Sequence, residues 1–281
     1  MADKFFSVDE DFETIIYKAL SIEYPDIEIK DIELNKTGWT NIVYEVGTNH
    51  GSFYFRFPRD QFWERTIVKD CQFAKFIKGK TEFETVDLKL KEDNGRHFSI
   101  HKKINGTPLA IKIKDMSEED RKKVSEQIAK FMYEMHTLQY KKDGIFSIDN
   151  IGLDLQDFIS ELLSLHVADK DKAFWETQNF EMDDEANICL VHGDFNSSNI
   201  LIDDDNNVKA IIDFGFAGFG NKYNDISRVI HRCPEIKDDI LESYEAYENQ
   251  AICRNTVDKE IDTWQKIDTG YINYMKSVGI C

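Results

Sequence analysis

One segment, residues 189–215, constrains this chain more than any other part of it. It reads CLVHGDFNSSNILIDDDNNVKAIIDFG. The short apolar run CLV is followed by a mostly polar stretch and then by two further apolar runs, which DDDNN separates. Apolar runs around a cluster of Asp and Asn predict a strand, a loop and a β-hairpin. The hairpin would bring Asn199, before its first strand, close to Asp213, at the end of its second.

The residue types in this segment indicate a magnesium-dependent reaction. Amide and carboxylate oxygens, as in Asn199 and Asp213, are ligands that a hard cation such as Mg²⁺ prefers. Asp194 adds a further carboxylate in the preceding loop, and such a group can accept a proton from an attacking hydroxyl or orient it. Metal-bridged phosphates and an aligning carboxylate are what phosphoryl transfer requires.

The rest of the chain predicts an α+β fold with a β-rich first part and a mostly helical second part. Ser7 and Glu10 suggest a capping box before a helix that ends at Tyr24-Pro25. Alternating and aromatic-rich stretches between Ile27 and Phe57 predict an antiparallel meander. A helix over Arg59–Ile77 and strands over Glu84–Leu90 and Phe98–Ile104 follow.

The second part begins at the turn Ile104–Pro108. Ser117 and Asp120 open a helix that carries apolar residues at helical spacing, and Leu155–Val167 forms another. The last sixty residues predict two or more further helices. We therefore divide the chain into residues 1–103 and residues 104–281.

Composition narrows the classes of partner. The chain carries 53 Asp and Glu against 35 Lys and Arg, a formal charge of −18, which disfavours nucleic acid and anionic membranes and favours a cationic substrate. Solubility alone explains most of these carboxylates equally well. No stretch is apolar enough for a membrane span or a signal peptide, so we expect a cytoplasmic protein. Five scattered cysteines argue against a disulfide framework and a zinc cluster: Cys71, Cys189, Cys233, Cys253 and Cys281.

The loop and the hairpin together resemble those of the aminoglycoside phosphotransferase family, which is related to choline kinase and more distantly to protein kinases. His192, Gly193, Asp194 and Asn199 match the family's H-G-D-x-x-x-x-N, and residues 212–215 match its I-D-F-G. The resemblance implies a two-lobed, protein-kinase-like fold. Residues 1–103 would then form the nucleotide-binding lobe, and residues 104–281 the helical lobe with the catalytic loop and the acceptor site.

The same resemblance implies a role for each matched residue. Asp194 would be the catalytic base or orienting group, and Asn199 and Asp213 would hold Mg²⁺. His192 would brace the loop through hydrogen bonds to the backbone, and Asp225 would support the loop from elsewhere in the chain. ATP or GTP would be the phosphoryl donor.

In the first lobe the resemblance is thinner. Arg56 stands where the family normally has a phosphate-binding lysine, and it can still donate two hydrogen bonds to phosphate. Its carboxylate partner would be Asp70, which the spacing favours, or Glu64. The remaining predicted nucleotide contacts are Gly38, Thr40 and Asn41 in a phosphate-covering hairpin and the backbone of His101, Lys102 and Lys103 near the base.

The acceptor should bind over Asp194, against the C-terminal helices. Carboxylates there could bind ammonium groups and aromatic rings could stack on sugars or cations, although a solvated charged face with core aromatics explains the same residues. The candidates are Glu235, Asp238, Asp239, Glu242, Trp264 and Tyr271.

Three functions are compatible with these residues. The first is a kinase that phosphorylates an aminoglycoside antibiotic and so confers resistance. The second is a metabolic kinase acting on choline, ethanolamine, an amino alcohol or a sugar amine. The third is an inactive, nucleotide-binding regulatory protein, suggested by the departures from the family pattern at Arg56 and Asp70.

Overall fold

The chain forms two compact units in a computed structural model. Unit 1 comprises Met1–Lys75 and Val86–Asn105, and unit 2 comprises Phe76–Thr85 and Gly106–Cys281. The structure describes residues 5–7, 10–35, 38, 40–138, 155–166 and 187–279. This division differs from 1–103 and 104–281 by the segment Phe76–Thr85 and by two residues at the boundary.

Unit 1 is built on a five-stranded antiparallel sheet with the strand order β1-β2-β3-β6-β5. The sheet is the predicted meander extended by a second hairpin, whose turn at Asn94 and Gly95 has two positive φ angles, 53° and 80°, as a tight hairpin requires. The helices and strands in this part of the chain are α1 (Phe12–Glu23), β1 (Ile29–Asn35), β2 (Asn41–Thr48), β3 (Gly51–Pro58), α2 (Gln61–Ile77), β5 (Lys89–Asp93) and β6 (Arg96–Lys102).

The start of α1 differs from the prediction. Ser7 N does donate to Glu10 Oε1 at 2.8 Å, but the helix begins only after Asp11, whose carboxylate accepts from Thr14 N at 3.1 Å. The predicted capping box was therefore wrong as a helix start. Asp11 caps the helix instead of Ser7, and Glu10, which lies outside the helix, is 2.8 Å from Arg96 on β6.

The core of unit 1 lies between α1 and one face of the sheet. Because side chains alternate along a strand, Phe53, Phe55 and Phe57 all point to this face and are at most 4% exposed. Tyr54 and Arg56 therefore point to the opposite face of β3. The aromatic-rich strand thus separates a dry core face from a face that carries polar side chains.

Unit 2 is mostly helical and contains two small sheets, one with the order β4-β10-β9-β7 and one pairing β11 with β8. Its strands are β4 (Glu84–Thr85), β7 (Thr107–Pro108), β8 (Ile188–Val191), β9 (Ile200–Ile202), β10 (Val208–Ile211) and β11 (Gly218–Asn221). Its described helices are α3 (Leu109–Lys112), α4 (Glu118–His136), α5 (Leu155–Leu165), α6 (Lys222–Arg232), α7 (Lys237–Glu248) and α8 (Arg254–Ser277).

The predicted hairpin is present as β9 and β10, with Ile211 paired to Ile200. Its turn is closed by Asp203, whose Oδ1 accepts from Asp205 N at 3.0 Å and Asn207 N at 2.8 Å. The Asp203 carboxylate thus binds the local backbone, which is a common use of Asp in turns.

The strand predicted over Glu84–Leu90 was wrong as a single element. Glu84–Thr85 pairs in parallel with β10 in unit 2, whereas Lys89–Asp93 pairs with β6 in unit 1. The chain passes from one sheet to the other between them, which the alternation of apolar residues does not reveal.

The helix predictions hold in unit 2. Ser117 caps α4 by accepting from Asp120 N at 3.1 Å, and α5 begins at the predicted Leu155, although the predicted last residue, Val167, lies outside the described residues. No helix in the described ranges is both long and apolar enough to cross a membrane. Four cysteines are free thiols, and Cys281 lies outside the described residues: Cys71, Cys189, Cys233 and Cys253.

Candidate active site

The loop between β8 and β9 is held by a single buried carboxylate. Asp225, on α6, is 1% exposed. Its Oδ2 accepts from His192 N at 2.7 Å and its Oδ1 from Gly193 N at 2.9 Å. Gly193 has a φ of 80°, and a Cβ there would lie 2.3 Å from Phe216 O. Only glycine fits at this position, because both the backbone conformation and the space exclude a side chain.

The His192 ring fixes the same loop from the other side. It is fully buried, its Nε2 lies 3.0 Å from Ile212 O, and Asp194 N lies 3.4 Å from its Nδ1. A carbonyl accepts only, so Nε2 carries the proton and Nδ1 accepts from the amide. Both ring nitrogens are therefore engaged with backbone, which suits a bracing role and leaves neither for proton transfer.

A second tier of hydrogen bonds lies behind Asp225. His136 Nε2, on α4, is 3.2 Å from Asp225 Oδ2, and His136 Nδ1 is 2.8 Å from Tyr244 OH on α7. Tyr244 is 1% exposed. Three helices are thus linked by one buried network, which makes the loop backbone rigid.

Asp194 is partly accessible, whereas most of this loop is buried. Its side chain is 26% exposed. Asn199 Nδ2 donates to Asp194 O at 3.0 Å and approaches Asp194 Oδ2 at 3.4 Å. Arg228 Nε, from α6, donates to Asp194 Oδ1 at 2.9 Å. The carboxylate is thus held on one oxygen by a cation and stays partly open to solvent.

Asn199 and Asp213 come together as the hairpin predicts. Ile212 N donates to Asn199 O at 3.0 Å, which places Asp213 next to Asn199 across the hairpin. Asp213 has a left-handed backbone, φ 68° and ψ 67°, and is exposed. Asn199 uses its Nδ2 within the loop, so its Oδ1 is the amide atom that can bind a cation.

This pair of oxygen donors fits Mg²⁺. Among the described residues, no group of three or more His, Cys, Asp or Glu could hold a metal. Mg²⁺ is characteristically held by one or two protein oxygens together with substrate phosphates and water. An amide and a single carboxylate are therefore sufficient for it, but not for a structural zinc site.

In unit 1, Arg56 is paired with Asp70. Arg56 Nη2 lies 2.7 Å from Asp70 Oδ2, and the Asp70 side chain is fully buried on α2. Glu64, the other carboxylate considered for this pairing, instead accepts from His97 N at 2.8 Å. The structure therefore selects the aspartate, and the arginine is held on the sheet face opposite the phenylalanine core.

The predicted phosphate-covering turn precedes β2. A Cβ on Gly38 would lie 2.9 Å from Asn41 O and 3.0 Å from Val43 Cγ2, so this close approach requires glycine. Asn41 Nδ2 donates to Thr40 Oγ1 at 2.9 Å. The flanking Thr37 and Trp39 lie outside the described residues.

The stretch from His101 to Lys103 differs in one respect from the prediction. Lys103 N donates to Ser52 O at 2.8 Å, so this amide is committed to the sheet and cannot bind a base. Lys102 O accepts from His101 Nδ1 at 3.1 Å. Burial, followed by the charge of Arg56, lowers the pKa of His101 to about 4, so its ring is neutral at pH 7.

Six residues are predicted to bind the acceptor over Asp194. Within the described part of the chain, none of the six is in hydrogen-bonding contact with it. Trp264 is 4% exposed and donates its Nε1 to Asn224 O at 3.2 Å, so the prediction of a ligand-stacking ring was wrong because this ring is core. Tyr271 stacks on Tyr274, with ring centroids 6.2 Å apart.

The four predicted carboxylates lie on α7 and the turn before it: Glu235, Asp238, Asp239 and Glu242. The hydrogen bond to Glu245 raises the pKa of Arg254, and the charges of Glu245, Asp238 and Glu242 act in the same direction. The residues that do surround Asp194 could not be found from the sequence pattern. They are Arg228 on α6 and, one step further, Asp268 on α8.

Arg228 and Asp268 form a charged pair beneath Asp194. Arg228 is 6% exposed, and its Nη1 donates to both Asp268 oxygens at 3.0 and 2.9 Å. Burial alone would raise the pKa of Asp268, but the hydrogen bond from His231 and the charges of Arg228 and Arg232 outweigh it and lower the pKa to about 2. The carboxylate is therefore ionised at neutral pH.

Comparison with solved structures shows that the chain has a kinase-like phosphotransferase fold. The gentamicin complex of APH(2")-IIa shares 20% identity over 96% of this chain and 92% of that one, with a TM-score of 0.66. ADP-bound aminoglycoside phosphotransferase APH(2'')-Ib shares 20% identity over 92% and 90%, at 0.64. Macrolide 2'-phosphotransferase type I shares 16% over 97% of both chains, at 0.61. At these identities the likeness establishes the fold.

Family membership follows from the sequence match. The profile of the phosphotransferase enzyme family matches residues 31–256, which is most of the chain and includes both the Arg56–Asp70 pair and the whole catalytic loop. The chain therefore belongs to the phosphotransferase enzyme family. It is an enzyme that transfers a phosphoryl group to an alcohol.

Proposed function

We propose that this protein transfers the γ-phosphoryl group of Mg²⁺-bound ATP or GTP to a hydroxyl of a small cationic molecule, an aminoglycoside antibiotic. The observation that carries the proposal is the state of Asp194. Its backbone is fixed through His192 and Asp225, one oxygen is bound by Arg228, and the side chain is still 26% exposed. A rigid, accessible carboxylate is what an acceptor hydroxyl needs for alignment.

Asp194 would bind the acceptor hydroxyl and take its proton as the oxygen attacks the γ-phosphorus. The new bond joins the acceptor oxygen to phosphorus, and the bond between that phosphorus and the β-phosphate oxygen breaks, which releases the nucleoside diphosphate. The proton on Asp194 then passes to solvent. Because the transition state of phosphoryl transfer is loose, the carboxylate contributes mainly through orientation.

Asn199 Oδ1 and the Asp213 carboxylate would hold Mg²⁺, and Asn199 Nδ2 would keep its bond to the Asp194 carbonyl. When bound, the ion neutralises charge on the phosphates. Asn199 would thereby link the position of the metal to that of Asp194, since one side chain would contact both.

Arg56 would bind the α and β phosphates, with Asp70 fixing the guanidinium. The pair is suited to this because the guanidinium is partly exposed, at 14%, while its carboxylate partner is fully buried. Gly38, Thr40 and Asn41 would cover the phosphates. Backbone groups of His101 and Lys102, but not the committed amide of Lys103, would contact the base.

The acceptor class rests on charge. A protein with a formal charge of −18 attracts cations, and exposed carboxylates on α7, such as Asp238 and Glu242, would bind ammonium groups at the edge of the acceptor. Two structural neighbours contain a nucleotide together with streptomycin or kanamycin: a streptomycin–ATP–APH(2")-IIa ternary complex and a GDP and kanamycin complex of APH(2")-IIia. We also infer a cytoplasmic location, since the nucleotide donors and the free thiols both belong to that compartment.

The test is a phosphoryl-transfer assay with purified protein, in which ATP and GTP are supplied separately with and without Mg²⁺. One panel contains aminoglycosides, and a second contains choline, ethanolamine, amino alcohols and sugar amines. Mass spectrometry of the acceptor should show one added phosphoryl group on an aminoglycoside. Transfer only within the second panel would assign the protein as a metabolic kinase and overturn the antibiotic assignment.

Two variants make the assay specific. Asp194→Asn should lower kcat by roughly 10²–10⁴-fold and leave nucleotide affinity nearly unchanged. Asp258→Asn makes the same chemical change on a solvated carboxylate that is 59% exposed, and it should behave as the wild type. Nucleotide binding without transfer to any member of either panel would indicate the inactive regulatory protein and overturn the enzymatic proposal.

A further inference from the structure

The structure assigns Arg228 as the positioning residue of Asp194: it binds Oδ1 and thereby leaves Oδ2 as the oxygen that meets the acceptor hydroxyl. This inference rests on the proposed role of Asp194. Its basis is that the two carboxylate oxygens have different surroundings. Oδ1 accepts from Arg228 Nε at 2.9 Å, whereas the contact that Oδ2 makes among the described residues is the 3.4 Å approach of Asn199 Nδ2.

Arg228 is held too firmly to be a mobile surface cation. Its side chain is 8% exposed, and its Nη1 is bound by both oxygens of Asp268. The guanidinium carbon lies 4.5 Å from the centroid of the Trp264 ring. The guanidinium is planar, so the contacts of Nη1 with Asp268 and of the guanidinium face with Trp264 also fix the direction of Nε. A lysine ammonium could not reproduce this arrangement.

The two contacts that hold Arg228 come from one helical turn of α8. Trp264 and Asp268 are four residues apart, so they lie on the same face of that helix. Asp268 is itself bound by His231 Nε2 at 3.1 Å and Arg232 Nη2 at 2.9 Å. A carboxylate with three cationic or donor partners remains ionised and keeps its orientation, so Arg228 has a rigid anchor.

One face of α6 controls both parts of the catalytic loop. Asp225 and Arg228 are three residues apart on this helix and project on the same side. Asp225 binds the backbone amides of His192 and Gly193, while Arg228 binds the side chain of Asp194. The helix therefore sets the position of the loop backbone and the rotamer of the catalytic carboxylate together.

The pairing also affects the chemistry of Asp194. In the described part of the chain, Arg228 is the one cation in hydrogen-bonding contact with this carboxylate. A charge-assisted bond to Oδ1 holds the carboxylate plane fixed and turns Oδ2 towards the partly open side of the site. The hydroxyl is then aligned before it attacks phosphorus. Because the transition state is loose, such alignment is the main contribution that a protein group makes.

Kinetics of Arg228→Gln, Arg228→Lys and Arg96→Gln provide the test, with the acceptor identified in the panel assay. Arg228→Gln should lower kcat by about 10²-fold, the cost of a misplacement on the order of 1 Å, while KM for the nucleotide and the acceptor stays within about threefold. Arg228→Lys retains charge and should recover part of kcat. Arg96→Gln removes a comparably paired arginine of unit 1, which binds Glu10 at 2.8 Å and Asp93 at 3.2 Å and has no part in the proposed site, so its kcat should stay within about threefold of wild type.

A double-mutant cycle separates positioning from a structural role. If Arg228 acts through Asp194, adding Arg228→Gln to Asp194→Asn should cost less than about threefold in kcat, because the group it positions is already lost. A full additional loss of about 10²-fold in that background, or wild-type kcat in Arg228→Gln alone, overturns the inference. Failure of the proposed function is distinguishable, since the wild-type protein would then transfer no phosphoryl group to any aminoglycoside.

Discussion

Replacing Asp225 by Asn is the most direct test of how the catalytic loop is held. The substitution changes almost no volume, but an amide has one acceptor atom where the carboxylate has two. In the wild type, Oδ2 serves His192 N and His136 Nε2, and Oδ1 serves Gly193 N. An Asn in the same rotamer must turn its NH₂ group towards at least one of these donors.

The free energy of unfolding should fall by about 3–5 kcal/mol. If the amide oxygen takes the Oδ2 position, Gly193 N loses its acceptor, and an unsatisfied buried N–H costs roughly 1–3 kcal/mol. The two hydrogen bonds that remain lose their charge assistance, at about 1 kcal/mol each because charged hydrogen bonds are roughly twice as strong as neutral ones. The sum is about the size of the effect of breaking a buried ion pair, roughly 3–5 kcal/mol.

Two measurements check this. Urea unfolding should show the lower stability, and amide hydrogen exchange should show faster exchange specifically at His192 and Gly193, by roughly 10² or more if local opening becomes about 3 kcal/mol easier. The matched control is Asp258→Asn, whose wild-type carboxylate pairs with Lys237 at 2.6 Å on the surface and should contribute about 0–1 kcal/mol.

Either of two results would refute the role given to Asp225. If Asp225→Asn unfolds within about 0.5 kcal/mol of the wild type and the amides of His192 and Gly193 exchange at wild-type rates, the carboxylate does not hold the loop. A stability loss without faster exchange at these two amides would also count against it, because the damage would then lie elsewhere.

Three further predictions concern other contacts. Arg56→Lys keeps the charge but loses the planar fork beside Asp70, so nucleotide affinity measured by titration calorimetry should fall roughly 10–100-fold, the value of one charged hydrogen bond. Gly193→Ala should lower both the unfolding temperature and kcat well below those of Gly79→Ala, a control that shares a positive φ of 73° but has nothing within 4 Å of the added methyl. The pKa of Asp268 is lowered from 3.8 to about 2. Its ionised form therefore contributes about 2 kcal/mol to the free energy of unfolding, which is present above about pH 4 and lost as pH falls through 2. Asp268→Asn should remove this part of the acid dependence of unfolding.

Each of these has a contrary outcome. Unchanged nucleotide affinity in Arg56→Lys would mean that the guanidinium geometry is not used for phosphate. Equal effects of the two glycine substitutions would mean that the loop can move away from the added methyl. An unaltered acid dependence in Asp268→Asn would place that dependence in other carboxylates.

Features set by local geometry could be predicted from the order of residues alone. A five-residue turn between two apolar runs produces a hairpin wherever the chain lies, and a hairpin necessarily brings Asn199 next to Asp213. The capping residue Ser117 was equally predictable from the sequence, since its bond to Asp120 N spans a single turn. These features are separated by few residues, so the pattern along the chain is enough to predict them.

Which distant side chains meet depended instead on how the elements pack. Glu64 and Asp70 differ by about 240° around their helix, and the choice between them for Arg56 depends on how α2 docks on the sheet. Trp264 reads equally as a ligand platform or as core, because composition does not reveal which face of a helix is covered.

The Arg228–Asp268 pair depended on tertiary structure most of all. Arg228 lies 34 residues from Asp194 and 40 from Asp268 in sequence, and nothing in its own segment distinguishes it from a surface arginine. A buried guanidinium is tolerated only where two carboxylates and an aromatic face compensate for lost hydration. Those partners are supplied by a loop and a separate helix, and packing alone brings them together.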